Sequence, residues 1–137
     1  MRNFLLFLFL VQIATPVYAR HQYLEKEYQQ YWCEKQGGIT EYVLDDGTRV
    51  DCLLPNMAVE FDFAPKWAEC IGQALYYGKK TNRNSVCILI MEEPLKDEKY
   101  LNRLKYSVYG QKQIPDFFLY TITPDVFDNN QKKVAIE

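Results

Sequence analysis

Carboxylate side chains occur in residues 49–77 at spacings that could bring them together. Apolar and other residues alternate strictly from Met57 to Phe63, which is the pattern of a half-buried β-strand, so Glu60 and Asp62 point the same way. Asp51 lies in an earlier β-rich run, and Pro55-Asn56 between the two runs is a turn signal. The resulting hairpin is predicted to bring Asp51 near Glu60. Three carboxylates on one sheet face could hold a hard divalent cation, since such cations prefer oxygen ligands.

A helix is predicted directly after this strand, because Pro65 suits a first helical position and the residues that follow have an apolar arc. Gln73 and Tyr77 are four residues apart and border that arc. With Glu69 they form a polar stripe, and the carboxylate face leads directly into this stripe. The alternative for each part is structural: a charged strand face can point to solvent, and Gln73 and Tyr77 can be satisfied locally.

These residues resemble a known family. Asp51, Glu60-x-Asp62 and the helix with Gln73-x-x-x-Tyr77 resemble the PD-(D/E)xK nuclease superfamily, in particular its group with a Gln-x-x-x-Tyr helix. The resemblance implies an α/β protein with a restriction-endonuclease-like three-layer core, in which a mixed central sheet is flanked by helices in the order αβββαβαβ. One departure is that the family has Lys two residues after the Glu, where this chain has Asp62.

The resemblance also implies roles for particular side chains. The catalytic residues would be Asp51, Glu60, Asp62, Lys66, Gln73 and Tyr77. Asp51, Glu60 and Asp62 would bind Mg²⁺ or Mn²⁺, together with a backbone carbonyl near Phe61. Asp62 could instead act as general base, and Lys66 could stabilise developing negative charge. The first helix of this family often adds an acidic residue, for which Glu27 and Glu34 are candidates, although either could serve only as a solvated surface charge.

Residues 1–19 have the three regions of a secretory signal peptide: a positive charge at Arg2, an apolar run, and small residues ending at Ala19. Cleavage there would leave residues 20–137 as a single domain, exported to the periplasm or outside the cell. Because polar residues and a proline interrupt the apolar run, no transmembrane segment is predicted once the signal is removed.

The balance of charge argues against a broad nucleic-acid-binding surface, since 16 Lys and Arg stand against 18 Asp and Glu. Contacts with a polyanion would have to be local. Candidate basic residues, each of which could equally be a solvated helix charge, are Lys79, Lys80, Arg83, Lys96, Lys99, Arg103 and Lys105. Most aromatic residues fall at core spacings, and stacking on single strands would need exposed rings. The single histidine, His21, argues against Ser-His-Asp and Cys-His catalysis.

Four cysteines in an exported chain permit one or two disulfides, and complete pairing is possible in three ways. They are Cys33, Cys52, Cys70 and Cys87. Buried free thiols are the alternative. The long spacings argue against a structural zinc site.

Periodicity and turn residues predict the remaining elements. Helices are expected at 21–36, 65–80 and 92–108, strands at 39–44, 48–54, 57–63, 86–91 and 117–123, and a loose tail at 123–137. Helices separated by strands imply crossover connections and a mixed sheet with helices on both faces.

Three hypotheses follow from the sequence. The first is an exported Mg²⁺-dependent nuclease acting on DNA, in which a homodimer could cut both strands. The second is a catalytically inactive protein of the same fold that serves as a binding or interaction module of the cell envelope. The third is a disulfide-stabilised structural protein of the envelope.

Overall fold

A five-stranded mixed β-sheet with helices on both faces forms the body of the described chain. The structure is a computed structural model that describes residues 21–109 and 114–128, so the predicted signal peptide lies outside it. The elements are α1 (Glu25–Gln36), β1 (Ile39–Val43), β2 (Arg49–Leu53), β3 (Met57–Phe63), a 3₁₀ turn (Ala64–Lys66), α2 (Trp67–Thr81), β4 (Asn84–Ile90), α3 (Pro94–Tyr109) and β5 (Phe117–Ile122). Among the described helices, none combines the length and apolarity needed to cross a membrane.

The strands lie side by side in the order of the chain, β1-β2-β3-β4-β5. The pairs β1–β2 and β2–β3 are antiparallel, as expected for strands joined by short turns. The pairs β3–β4 and β4–β5 are parallel, and α2 and α3 supply the crossovers. The predicted mixed sheet with flanking helices is therefore confirmed.

Alternation along the strands separates two main cores. On β4, Val86, Ile88 and Ile90 join a core with residues of α1, while Cys87 and Leu89 join a core with α2 and α3. Helix α1 thus covers one face and the other two helices cover the opposite face. This explains why β4 is apolar without interruption from Val86 to Ile90.

Both ends of helix α1 are fixed by identifiable contacts. The Leu24 backbone N–H donates to Glu27 Oε2 at 2.6 Å, and the helix ends at Gly37, whose φ of 69° is left-handed. The predicted helix start at residue 21 is wrong, because Glu92 holds the preceding segment. Its carboxylate accepts from the Gln22 backbone N–H at 2.8 Å and contacts His21 Nδ1 at 2.8 Å.

Two disulfides, Cys33–Cys52 and Cys70–Cys87, use all four cysteines, so the alternative of buried free thiols is wrong. The first links α1 to β2 and the second links α2 to β4, one on each face of the sheet. Each closes a loop with a sequence separation of 19 or 17 residues, for which restriction of the unfolded chain gives about 3 kcal/mol of stabilisation.

The first part of the predicted loose tail is packed. Residues 125–128 form a helical turn, and the Phe127 ring lies 4.2 Å from that of Tyr23 and 5.1 Å from that of Tyr28. Aromatic burial against α1 therefore overrides the polar composition of the segment. Residues 129–137 lie outside the described part of the chain.

Candidate active site

Strands β2 and β3 separate where the site begins. Their ladder pairs Cys52 with Val59, but the backbones of the next two residues, Asp51 and Glu60, do not pair. Hydrogen bonds between side chains and the opposite backbone replace the ladder there. The Asp51 backbone N–H donates to Glu60 Oε1 at 3.3 Å, and the Phe61 N–H donates to Asp51 Oδ2 at 2.8 Å. The predicted proximity of Asp51 and Glu60 is therefore confirmed. The Asp51 carboxylate reaches the backbone edge of β3 instead of only sharing the face of Glu60 and Asp62.

The neighbouring strand is also irregular at this level. The β1–β2 ladder pairs Thr40 with Cys52 and Tyr42 with Val50, but not Glu41 with Asp51. Glu41 has a φ of 53°, in a left-handed region that a non-glycine residue seldom occupies. Both neighbours of β2 thus depart from regular pairing around Asp51. Such local departures are frequent at functional sites.

Asp51 and Glu60 form a buried pair of like charge. Glu60 is only 3% exposed and Asp51 is half-buried. Burial raises the pKa of both carboxyl groups, and the negative charge of Asp51 raises the pKa of Glu60 further. The pair therefore favours holding a proton, or an external cation, over carrying two uncompensated charges.

Asp62 has one paired oxygen and one without a partner. Lys66 Nζ lies 3.5 Å from Asp62 Oδ1 and 3.9 Å from Glu69 Oε2. Asp62 Oδ2 is buried and has no hydrogen-bond partner among the described residues. Burial raises the pKa of Asp62 to about 7 despite the opposing charge of Lys66. Sequence reasoning placed Lys66 correctly beside the carboxylates.

The acidic residue contributed by α1 is Glu25, which sequence reasoning missed. Burial is the largest cause of the raised pKa of Asp51 and of Asp62, and the negative charge of Glu25 raises both further. Gln29 Nε2 donates a hydrogen bond to Glu25 Oε1 at 3.3 Å. The spacing of Glu25, Gln29 and Cys33 on the buried side of the helix was the available signal.

The two acids expected from the sequence, Glu27 and Glu34, lie elsewhere. Glu27 caps α1, and Glu34 Oε1 accepts a hydrogen bond from Gln30 at 2.8 Å. Both are exposed. Their surface alternative is therefore correct, and neither joins the carboxylate cluster.

Tyr77 and Gln73 occupy different environments on α2. Tyr77 is 7% exposed and packs against Val50, Leu53 and Ala58. Burial and the nearby charge of Glu60 raise the pKa of its hydroxyl group. Gln73 is half-buried and makes no side-chain hydrogen bond within the described residues. The charge of Glu60 thus acts on Tyr77, whereas Gln73 forms no hydrogen bond with a carboxylate of the described residues.

Comparisons with known protein families, curated proteins and solved structures found no match for this chain. Support for a function must come from the site itself.

The carboxylate oxygens are ligands of the type that a hard divalent cation prefers, but the described side chains are not arranged around a common metal position. The donors are carboxylate oxygens, and Asp62 Oδ2 has no hydrogen-bond partner among the described residues. Within residues 21–109 and 114–128, however, no group of three or more His, Cys, Asp or Glu side chains is arranged to hold a metal ion.

The basic residues near the end of α2 are largely committed to structural contacts. Lys80 Nζ lies 2.9 Å from Asp45 Oδ1, and Arg83 Nε donates to the Leu54 carbonyl at 2.9 Å. A cavity of about 600 Å³ beside them, near Asn56 and Asn84, lies at the start of β3 and β4, away from the carboxylates. Neither Lys80 nor Arg83 forms an ion pair or a hydrogen bond with Asp51, Glu60 or Asp62.

Proposed function

We propose that this protein is a metal-dependent nuclease that hydrolyses phosphodiester bonds of DNA, with a restriction-endonuclease-like fold of the PD-(D/E)xK superfamily. The observation that carries the proposal is the opening between β2 and β3, where Asp51 and Glu60 exchange side-chain hydrogen bonds with the opposite backbone and face Asp62. Buried like charges destabilise a fold unless a cation or protons compensate them. The arrangement therefore favours a binding function over a purely structural one.

Each side chain has a role that follows from its surroundings. Asp51 and Glu60, with Asp62, would hold Mg²⁺ or Mn²⁺, which supplies activation of water and neutralisation of phosphoryl charge. If Asp62 is instead not a ligand, burial, which raises its pKa to about 7 in the metal-free protein, suits it to accept a proton from an attacking water near neutral pH. Lys66 is half-exposed beside Asp62 and can stabilise negative charge developing on the phosphate.

The two disulfides support export to an oxidising compartment, either the periplasm or the cell exterior, because such bonds persist there. Export also agrees with the signal peptide predicted at residues 1–19.

A second candidate is a catalytically inactive relative that binds a partner at the same site. Two observations favour it: Asp62 occupies the place of the lysine in the family pattern, and the described side chains do not form a ready three-ligand metal site. The variant Asp62→Lys separates the two candidates. It should abolish cleavage if Asp62 is the general base, and it should create cleavage if the missing lysine is what inactivates the protein.

The decisive experiment combines metal binding with cleavage. The oxidised protein is titrated with Mg²⁺ and Mn²⁺ by calorimetry and incubated with plasmid and with single-stranded DNA, alongside Asp51→Asn and Glu60→Gln. Glu34→Gln, an exposed acid outside the cluster, is the matched control. We expect metal-dependent cleavage that falls by at least about 100-fold in either site variant and is unchanged in the control. Metal binding without cleavage would favour the second candidate, and the absence of both signals would refute the proposed nuclease.

A further inference from the structure

Helix α3 carries the two most exposed large hydrophobic side chains of the described chain. Leu95 is 93% exposed and Tyr106 is 83% exposed, whereas no other large hydrophobic residue of the described chain is more than 59% exposed. At about 100° of rotation per residue, Leu95 and Tyr106 point in nearly the same direction. Leu104 and Val108, on the opposite side of the helix, are fully buried in the core that α3 shares with α2. The two exposed side chains therefore lie on the outermost side of α3.

Two cations lie on the same side of the helix. Lys99 and Arg103 follow Leu95 by four and eight residues, and both are exposed. By the same rotation, four residues fall within about 80° of the helix circumference and form what we call the outer face of α3: Leu95, Lys99, Arg103 and Tyr106. No carboxylate of the described residues forms an ion pair with either cation. Both cations are therefore available to an external anion.

The acidic residues of α3 lie away from the outer face. Asp97 and Glu98 fall at least about 60° outside its edges by the rotation per residue. Asp97 Oδ2 accepts a hydrogen bond from the Glu93 backbone N–H at 3.1 Å, and Glu93 itself forms an ion pair with Lys96. The outer face is therefore positively charged, although the whole chain has a net charge of -2.

We propose that the outer face of α3 binds the surface of an anionic lipid membrane. The helix would lie parallel to the membrane, with Leu95 and Tyr106 inserted among the headgroups and the two cations paired with lipid phosphates. Exposed apolar side chains next to cations are typical of helices that lie in the plane of a membrane. Tyrosine suits the boundary between headgroups and acyl chains, because its ring is apolar and its hydroxyl group is polar.

The apolar side chains favour a membrane over nucleic acid or a protein as the partner. The phosphates of DNA would pair with Lys99 and Arg103, but Leu95 needs an apolar environment, which the headgroup boundary of a bilayer supplies. A protein partner would need a complementary recess for each protruding side chain, whereas a fluid bilayer adapts to both. The inference is independent of the proposed nuclease function, because no residue of the outer face belongs to the carboxylate cluster.

Co-sedimentation of the oxidised protein with lipid vesicles tests the role of charge. Vesicles of phosphatidylcholine with about one third phosphatidylglycerol are compared with vesicles of phosphatidylcholine alone, to which binding should be at least about 10-fold weaker. Replacing both Lys99 and Arg103 by Gln should weaken binding to the anionic vesicles by about 5-fold for each charge. The matched control replaces Lys26 and Lys79, two exposed lysines on α1 and α2, by Gln and should have a much smaller effect.

The same assay tests the apolar side chains. Leu95→Ser and Tyr106→Ser should each weaken binding to the anionic vesicles by about 10-fold, and Tyr106→Phe should bind like the wild type because it keeps the ring. Val43→Ser is the matched control, because it removes an exposed apolar side chain from β1. Urea unfolding should show wild-type stability for all these variants, since exposed side chains contribute little to it.

Each outcome supports the proposal or overturns it. Weaker binding in both the charge and the apolar variants, with normal binding in the controls, would establish the outer face as the membrane site. No binding to anionic vesicles, equal binding to neutral vesicles, or normal binding by Leu95→Ser and Tyr106→Ser would each overturn it. DNA binding that needs Lys99 and Arg103, without vesicle binding, would identify a surface for nucleic acid instead.

DNA cleavage in free solution keeps this inference separate from the proposed nuclease. Leu95→Ser should cleave DNA as the wild type does, and Glu60→Gln should lose cleavage but bind vesicles normally. A protein that cleaves no DNA but binds anionic vesicles through the outer face would refute only the nuclease. A protein that cleaves DNA but binds no vesicles would refute only the membrane site.

Discussion

Replacing the Asp62 carboxyl group should change how the stability of the metal-free protein depends on pH. In the folded protein burial raises the pKa of Asp62 from 3.8 to about 7. The folded state therefore keeps a proton that the unfolded state has already lost between those values. Because the folded state binds more protons there, the free energy of unfolding must fall as the pH rises. Below pH 3.8 Asp62 is protonated in both the folded and the unfolded state. Above about pH 7 it is ionised in both, so its contribution to the free energy of unfolding no longer changes with pH.

The magnitude follows from the width of that window. One pKa unit corresponds to about 1.4 kcal/mol, so the wild type should lose about 2–3 kcal/mol from this group alone between about pH 5 and pH 8. Asp62→Asn has no such proton to lose. Its amide can itself cost about 1–3 kcal/mol, since Asp62 Oδ2 has no hydrogen-bond partner among the described residues, but that cost is the same at every pH.

Urea unfolding at several pH values in a chelating buffer measures the effect. The stability of Asp62→Asn minus that of the wild type should rise by about 1.4 kcal/mol per pH unit and level off above about pH 7. Glu34→Gln is the matched control, because Glu34 is exposed and lies outside the carboxylate cluster, and its stability should change with pH in the same way as that of the wild type. Parallel curves for Asp62→Asn would show that Asp62 ionises normally, and would refute the argument that burial controls its charge.

Two further predictions concern the scaffold. Gly78→Ala should lower the free energy of unfolding by about 1–3 kcal/mol, because the added Cβ would lie 2.1 Å from Ser85 Oγ. Gly72→Ala on the same helix adds a Cβ that meets no atom within 4 Å, so it should raise the free energy of unfolding by about 0.5–1 kcal/mol. Equal effects of the two substitutions in thermal unfolding would contradict the packing described for α2. Replacing Cys33 and Cys52 together by Ala should cost about 3 kcal/mol in urea unfolding of the oxidised protein, and an unchanged midpoint would mean that this bond does not restrict the unfolded chain.

Much of the fold follows from local patterns in the sequence. The alternation in β3, the turn at Pro55-Asn56 and the uninterrupted apolar run of β4 each have one main structural solution. The start of α1 was predicted too early because its cause is not local. Glu92, far along the chain, holds the segment before the helix, and propensity cannot reveal that contact.

The site was predictable to a lesser extent. Asp51 and Glu60 were brought together by a hairpin that the sequence encodes, whereas Glu25 enters from a separate helix whose packing angle no motif specifies. The pairing of the cysteines was also undetermined, since it depends on which helix covers which face of the sheet. That Asp62 Oδ2 has no hydrogen-bond partner in the described part of the chain is likewise a result of three-dimensional packing.

The positions of the two disulfides have a consequence for when the protein matures. Cys52 follows Asp51 directly, and Cys87 is the ladder partner of Glu60, so each of these two carboxylates lies beside a disulfide bond. A newly made chain in a reducing cytosol lacks both disulfide bonds. Under the proposed function, such a chain would hold its carboxylates loosely and spare the chromosome of the cell that produced it. Formation of the disulfides after export would then complete the active site, so that activity would be confined to the oxidising compartment.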